Sequence, residues 1–127
     1  MIRLALLTIL VTILSGCWQK DIARSYFPSG KIRTEAYVKN GVLHGYAVMY
    51  SDNGTKLGEA NYKNGLLDGV SISYFPDGLK KAEAVYKEGV LHGKSISWNE
   101  GGKMTSEALF QNGRLVSEFS WHGQINK

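Results

Sequence analysis

Two patterns of apolar and polar positions divide the chain. Near the start, a largely apolar run of 11 residues extends from Leu4 to Leu14, behind a single positive residue, Arg3. From Tyr26 onward the pattern changes. Segments of about 5–8 residues alternate between apolar and polar positions, and turns bearing glycine separate them. A period of two is the signature of half-buried strands, so this region is predicted to be all-β.

The strands recur in register. Tyr26, Tyr50, Tyr74 and Trp98 are spaced 24 residues apart, as are Gly30, Gly54, Gly78 and Gly102. The same spacing relates Glu35, Glu59, Glu83 and Glu107, each followed by alanine, and then Gly41, Gly65, Gly89 and Gly113 with Leu43, Leu67, Leu91 and Leu115. Gly45, Gly69 and Gly93 complete three units, while Ser117 stands at that place in the fourth. A sustained period of this length marks a repeat architecture, and an atypical last unit suits a capping role. Asn40-Gly41 and Asn64-Gly65 are hairpin-turn signals, because both residue types tolerate positive φ. Asp52-Asn53-Gly54 and Asp77-Gly78 fit a type I turn followed by a glycine bulge. Each unit therefore reads as a β-hairpin. The units are expected to stack sideways into a single-layer, elongated antiparallel sheet.

Alternation along the strands predicts two unlike surfaces. Ala36, Ala60, Ala84 and Ala108 share a side with Val38, Tyr62, Tyr86 and Phe110. Val48, Ile72 and Ile96 share a side with Tyr50, Tyr74 and Trp98. Joining these sets gives one aliphatic and aromatic face, opposite a largely polar face that carries the Glu column with Ala47, Met49 and serines. The Leu43, Leu67, Leu91 and Leu115 column is expected to fold over one margin. A single sheet has no second layer of its own, so exposed apolar area on it favours a partner.

The stretches YFPSGKIRTEAYVKNGVLHG, YSDNGTKLGEANYKNGLLDG, YFPDGLKKAEAVYKEGVLHG and WNEGGKMTSEALFQNGRLVS resemble the bacterial variant form of the MORN repeat. The resemblance covers residues 26–117. Its fourth copy departs, with Trp98 for Tyr, Val116 for His or Asp and Ser117 for Gly. The resemblance implies a non-catalytic repeat protein. Bacterial relatives of this type are often labelled antitoxin-like, which implies an immunity role against a toxin as an alternative. Eukaryotic relatives are associated with membranes, which implies lipid or glycan binding as a further alternative.

The leader changes the expected location. Eleven apolar residues are short of the roughly 17–25 that span a bilayer, and fit the core of a secretory signal. Leu14-Ser15-Gly16-Cys17 then resembles the lipobox of bacterial lipoproteins, which implies cleavage before Cys17 and acylation of that cysteine. The expected division is a signal at 1–16, a lipidated Cys17 with a tether at 17–25, and a repeat domain at 26–127. Units fall near 26–49, 50–73, 74–97 and 98–121. The expected location is the cell envelope, attached through a lipid anchor. Trp18, where an Asp would resemble an inner-membrane retention signal, favours the outer membrane in a cell with two.

Composition narrows the chemistry. Cys17 is the only cysteine, which excludes an internal disulfide framework and thiolate zinc sites. A formal charge of +4 is too mild to argue for nucleic-acid binding. Equivalent residues in successive units should lie roughly 10 Å apart, two strand spacings. At that distance His44, Asp68 and His92 cannot share a metal, and the Glu row does not form a glycosidase carboxylate pair. These residues are read as exposed turn residues and as partners of neighbouring Lys, Arg or Ser side chains, and His122 has no second ligand at metal spacing. No cofactor is expected. The candidate contact residues are the two aromatic rows, Tyr50, Tyr74 and Trp98 and Tyr62, Tyr86 and Phe110, with a protein partner or a second copy in view.

Overall fold

A computed structural model of the protein describes residues 21–120. The leader at 1–16, Cys17, Trp18 and His122 lie outside them. Among the described residues nine strands follow one another: β1 (Asp21–Tyr26), β2 (Ile32–Lys39), β3 (Val42–Tyr50), β4 (Lys56–Lys63), β5 (Leu66–Tyr74), β6 (Lys80–Lys87), β7 (Val90–Trp98), β8 (Met104–Gln111) and β9 (Arg114–Ser120). They form one open sheet in the order β1-β2-β3-β4-β5-β6-β7-β8-β9, every neighbouring pair antiparallel. The all-β, single-layer architecture expected from the period is the one observed. Residues 21–25, placed in the tether from sequence, instead belong to β1, which pairs with β2 from Asp21↔Val38 to Tyr26↔Ile32.

Two kinds of turn define the two margins of this ribbon. On one margin, Asn40-Gly41, Asn64-Gly65, Glu88-Gly89 and Asn112-Gly113 all take positive φ at both positions, between 50° and 82°. That is the two-residue I′ geometry, whose twist matches the strands it joins. On the other margin, wider loops close through glycine, as in Gly54 N–H to Ser51 O at 2.9 Å and Gly78 N–H to Phe75 O at 2.9 Å.

Register decides what each face contains, because direct cross-strand partners share a face. Ala60 pairs with Ala47 on one side and Ser71 on the other. Glu59 pairs with Val48 and Ile72. The expected joining of the two apolar sets is therefore wrong. The alanines lie with Ala47, Ser71 and Ser95 on a small-residue face. Val48, Ile72 and Ile96 lie with the glutamates on an ionic face. Alternation fixes the sides within one strand, but only the pairing register fixes how two strands combine. The Leu column does not fold over a margin either. Tyr62 pairs with Leu67, Tyr86 with Leu91 and Phe110 with Leu115, all on the small face.

A bulge in each hairpin makes this possible. Between Ala60↔Ser71 and Tyr62↔Leu67, β4 advances two positions while β5 retreats four. The extra residues are accommodated around Gly69, at φ +112°, and equivalently at Gly45 (+122°) and Gly93 (+124°). An L side chain rarely adopts this backbone, and a Cβ on Gly93 would stand 3.1 Å from Val85 Cβ. In the fourth unit Ser117 replaces the glycine. The register there steps from Leu109↔Ser117 to Phe110↔Leu115, one position against two. The smaller bulge exchanges the sides of the residues beyond it. The period would place Phe119 in the Ser95 column, yet it pairs with Glu107 on the ionic face, and Glu118 pairs with Ala108 on the small face.

Burial is shallow, as one layer demands. Only Ala36 (5% exposed), Val48 (8%) and Ala60 (9%) are buried among the described residues. Cross-strand pairing holds the sheet together in place of an enclosed core.

Candidate interaction surface

The ionic face is largely satisfied by its own residues. Each glutamate of the column meets one cation. Glu35 meets Arg24 at 2.6 Å, Glu59 meets Lys56 at 2.7 Å, Glu83 meets Lys80 at 2.7 Å and Glu107 meets Lys94 at 2.9 Å. Arg24 and Lys94 come from neighbouring strands, as expected. Lys56 and Lys80 come from the glutamate's own strand, three residues back. A regular strand puts such a pair on opposite sides. The register shifts at Met49/Tyr50 and Ser73/Tyr74 bring them together.

Glu59 is the most heavily bonded of the four. It accepts from Tyr46 Oη, from Tyr74 Oη at 2.5 Å and from Lys56 Nζ. Burial opposes its charge, but these three donors outweigh burial and hold its carboxyl down at about 2. Burial, together with the bond to Glu59, pushes the Tyr46 hydroxyl up to about 12. Lys56 also stands over the Tyr74 ring at 5.2 Å, and Lys80 over Trp98 at 5.8 Å. Of the aromatic row Tyr50, Tyr74 and Trp98, the latter two thus stand in the ladder that ties the strands together.

The second row has different surroundings. Tyr62, Tyr86 and Phe110 are half-buried on the small face beside Leu67, Leu91 and Leu115. The two aromatic rows lie on opposite sides of the sheet. On the small face, from Thr34 on β2 to Phe110 on β8, the paired positions carry no charged residue. Its middle is a shallow trough of about 310 Å³, lined by Thr34, Ala47, Met49, Leu57, Gly58, Ala60, Tyr62, Ser71 and Ser73, with Val48, Glu59 and Ile72 of the other side also contributing. The ionic face also exposes apolar residues in one cross-strand row, Ile22 with Tyr37, then Tyr46, Val70 and Leu109, broken by Asn61 and Lys94 and bordered by the glutamate column.

His44, Asp68 and His92 do not converge on one another. Each reaches the hairpin turn of the next unit. Asn64 N–H donates to His44 Nδ1 at 3.4 Å, Glu88 N–H to Asp68 Oδ2 at 3.2 Å, and Asn112 N–H to His92 Nδ1 at 3.4 Å. The side chain at one position thus clamps the backbone 20 residues on, in three successive units. Reading these residues only as exposed turn residues misses that role, although the repeated offset between a His or Asp and the next turn is its signal. Among the described residues, no three of His, Cys, Asp or Glu come together in a group able to hold a metal ion.

The model of the MORN repeat variant family matches residues 22–40, 43–64 and 91–112. The chain thus carries this repeat in three places. The matches coincide with β1–β2, β3–β4 and β7–β8, so the family's unit is the hairpin closed at the wide-loop margin. β5–β6 repeats the same register. MORN repeats are in general non-catalytic and take part in protein or membrane interactions. No curated protein matches the chain.

Proposed function

We propose that the protein is a non-catalytic plate of the cell envelope, held to its membrane through a lipid on Cys17, that binds another protein with its small face. One observation carries the choice of face. The paired positions from β2 to β8 carry no charge and have no covering layer, while an aromatic and leucine row borders them. Covering such a face desolvates few charges, whereas covering the other face would desolvate the Glu59, Lys56 and Tyr74 cluster. Nine strands at about 4.8 Å give a surface roughly 40 Å long, comparable with a standard protein interface. Leu14-Ser15-Gly16-Cys17 supports the anchor.

The test is affinity purification of the lipidated protein from its native membrane, beside the Tyr62→Ser, Tyr86→Ser double variant. Loss of the bound protein in a variant that keeps its β-sheet circular dichroism supports the reading. Retention of the same protein at the same yield removes the small face from it. Recovery of a toxin as the bound protein would move the reading to immunity.

A further inference from the structure

The partner most compatible with the small face is a second copy of this chain. We infer that two copies stack small face to small face about a two-fold axis parallel to the strands and lying over the small face of β5. The inference rests on the proposed contact role of that face and names its occupant.

Three observations point to this arrangement. The first is charge. A two-fold interface presents each surface to itself, so every charge on it meets a like set. The paired positions of the small face from β2 to β8 carry none. The charges on this side stand at its borders: Arg33 and Lys81, in the column of Leu57 at the wide-loop margin and over Phe27 and Phe75, and Asp21 and Glu118 on the two terminal strands, which the axis lays over one another. The ionic face, with Glu35, Glu59, Glu83 and Glu107 in one row, meets that condition poorly. The second is area. Strands β2 to β8, about 4.8 Å apart and each contributing roughly 20 Å of length, span about 580 Å², and with β1 and β9 the footprint reaches about 760 Å² per copy, close to the ~800 Å² per partner of stable interfaces. Stacking also turns one layer into two, the arrangement that buries a sheet face.

The third observation is the placement of the chain's start. Asp21 opens β1 at the Asn-Gly margin, where it pairs with Val38. It lies four positions after Cys17, a reach of at most about 14 Å. An axis parallel to the strands lays β1 of one copy over β9 of the other and keeps both Asn-Gly margins on the same side. Both lipid anchors then enter one bilayer. A two-fold along the ribbon would send them to opposite sides. Confinement to one membrane also raises the effective concentration of one copy about the other.

β5 is the middle strand of nine, so the axis sets Ser71 near Ser71 of the second copy. Ile72, on the opposite face, points away from it. The test is thiol cross-linking of the lipidated protein in vesicles with a short bismaleimide. Ser71→Cys is expected to give a dimer-sized band and Ile72→Cys none. Ser71→Lys is expected to weaken dimerisation at least about tenfold, the loss that like charges cause when set face to face. Circular dichroism of each variant establishes that the sheet is retained. Equal cross-linking at 71 and 72 overturns the inference. So does a monomer in sedimentation of the natural protein at tens of micromolar. If that monomer still captures another protein that Tyr62→Ser, Tyr86→Ser loses, the contact role of the face survives and only its occupant changes.

Discussion

The two faces of the sheet are built from the same strands and solve different problems. On the ionic face, long side chains reach one another across and along strands, and glutamate, lysine and tyrosine satisfy each other. On the small face, alanine and serine leave the backbone close to the surface, and the Tyr62, Tyr86 and Phe110 row stands above it with Met49 and the Leu67, Leu91 and Leu115 column. In a single layer with almost nothing buried, one face is best suited to hold the strands in register and the other to be covered. Scaffold and contact roles thus fall to residues of the same type, tyrosine above all.

The sharpest way to break this contrast is at the bulges that set it. Gly93→Val forces a β-branched residue into φ +124° and against Val85. It is expected to cost about 2–4 kcal/mol, read as the loss of unfolding free energy in urea. An unchanged midpoint would mean that the bulge does not need glycine. Next comes the floor of the small face. Ala60→Lys places an ammonium at a position 9% exposed, between Ala47 and Ser71. About 2 kcal/mol of destabilisation is expected by calorimetry. A neutral result would show that this face tolerates charge as the other does.

The ionic face should respond less, and unevenly. Glu59→Ala removes the shared acceptor of Tyr46, Tyr74 and Lys56, at an expected cost of about 1–2 kcal/mol. The same group predicts a pH dependence. Its folded carboxyl lies at about 2, below the ordinary 4.5. Its contribution is therefore fully present above about pH 4.5 and is lost as pH falls through about 2. The stability gap between the natural protein and Glu59→Gln should stay constant from pH 7 to 5 and narrow toward pH 2. A gap that held at pH 2 would mean that the charge contributes nothing. Glu107→Ala is the smallest change. Its partner Lys94 is 65% exposed, and the urea midpoint should not move measurably.

Much of the fold is legible in the residues alone. The Asn-Gly turns are readable because positive φ at two successive residues restricts the choice of residue, and strand lengths follow from the spacing between turns. Glu88 enters the same conformation without being asparagine, held by its place in the period and by Asp68. The face assignment is readable only within a strand. Nothing local to Ala60 or Ile72 states that the first pairs with Ser71 and the second with Glu59. The His44 and His92 clamps show in the sequence only as a repeated offset of 20 residues, whose meaning appears when hairpins are laid side by side.

The amino-acid sequence by itself determined the repeat length, the turns, the strands and their order, because each of these is set by a few adjacent residues and by the period. Only the tertiary structure decided which side chains share a face, where the glutamates find their cations, and that Ser117 exchanges the sides of Glu118 and Phe119. Those outcomes depend on pairing register, and register is a property of two strands at once. A bulge of one residue, invisible as hydrophobicity, is enough to turn a side chain from one surface to the other.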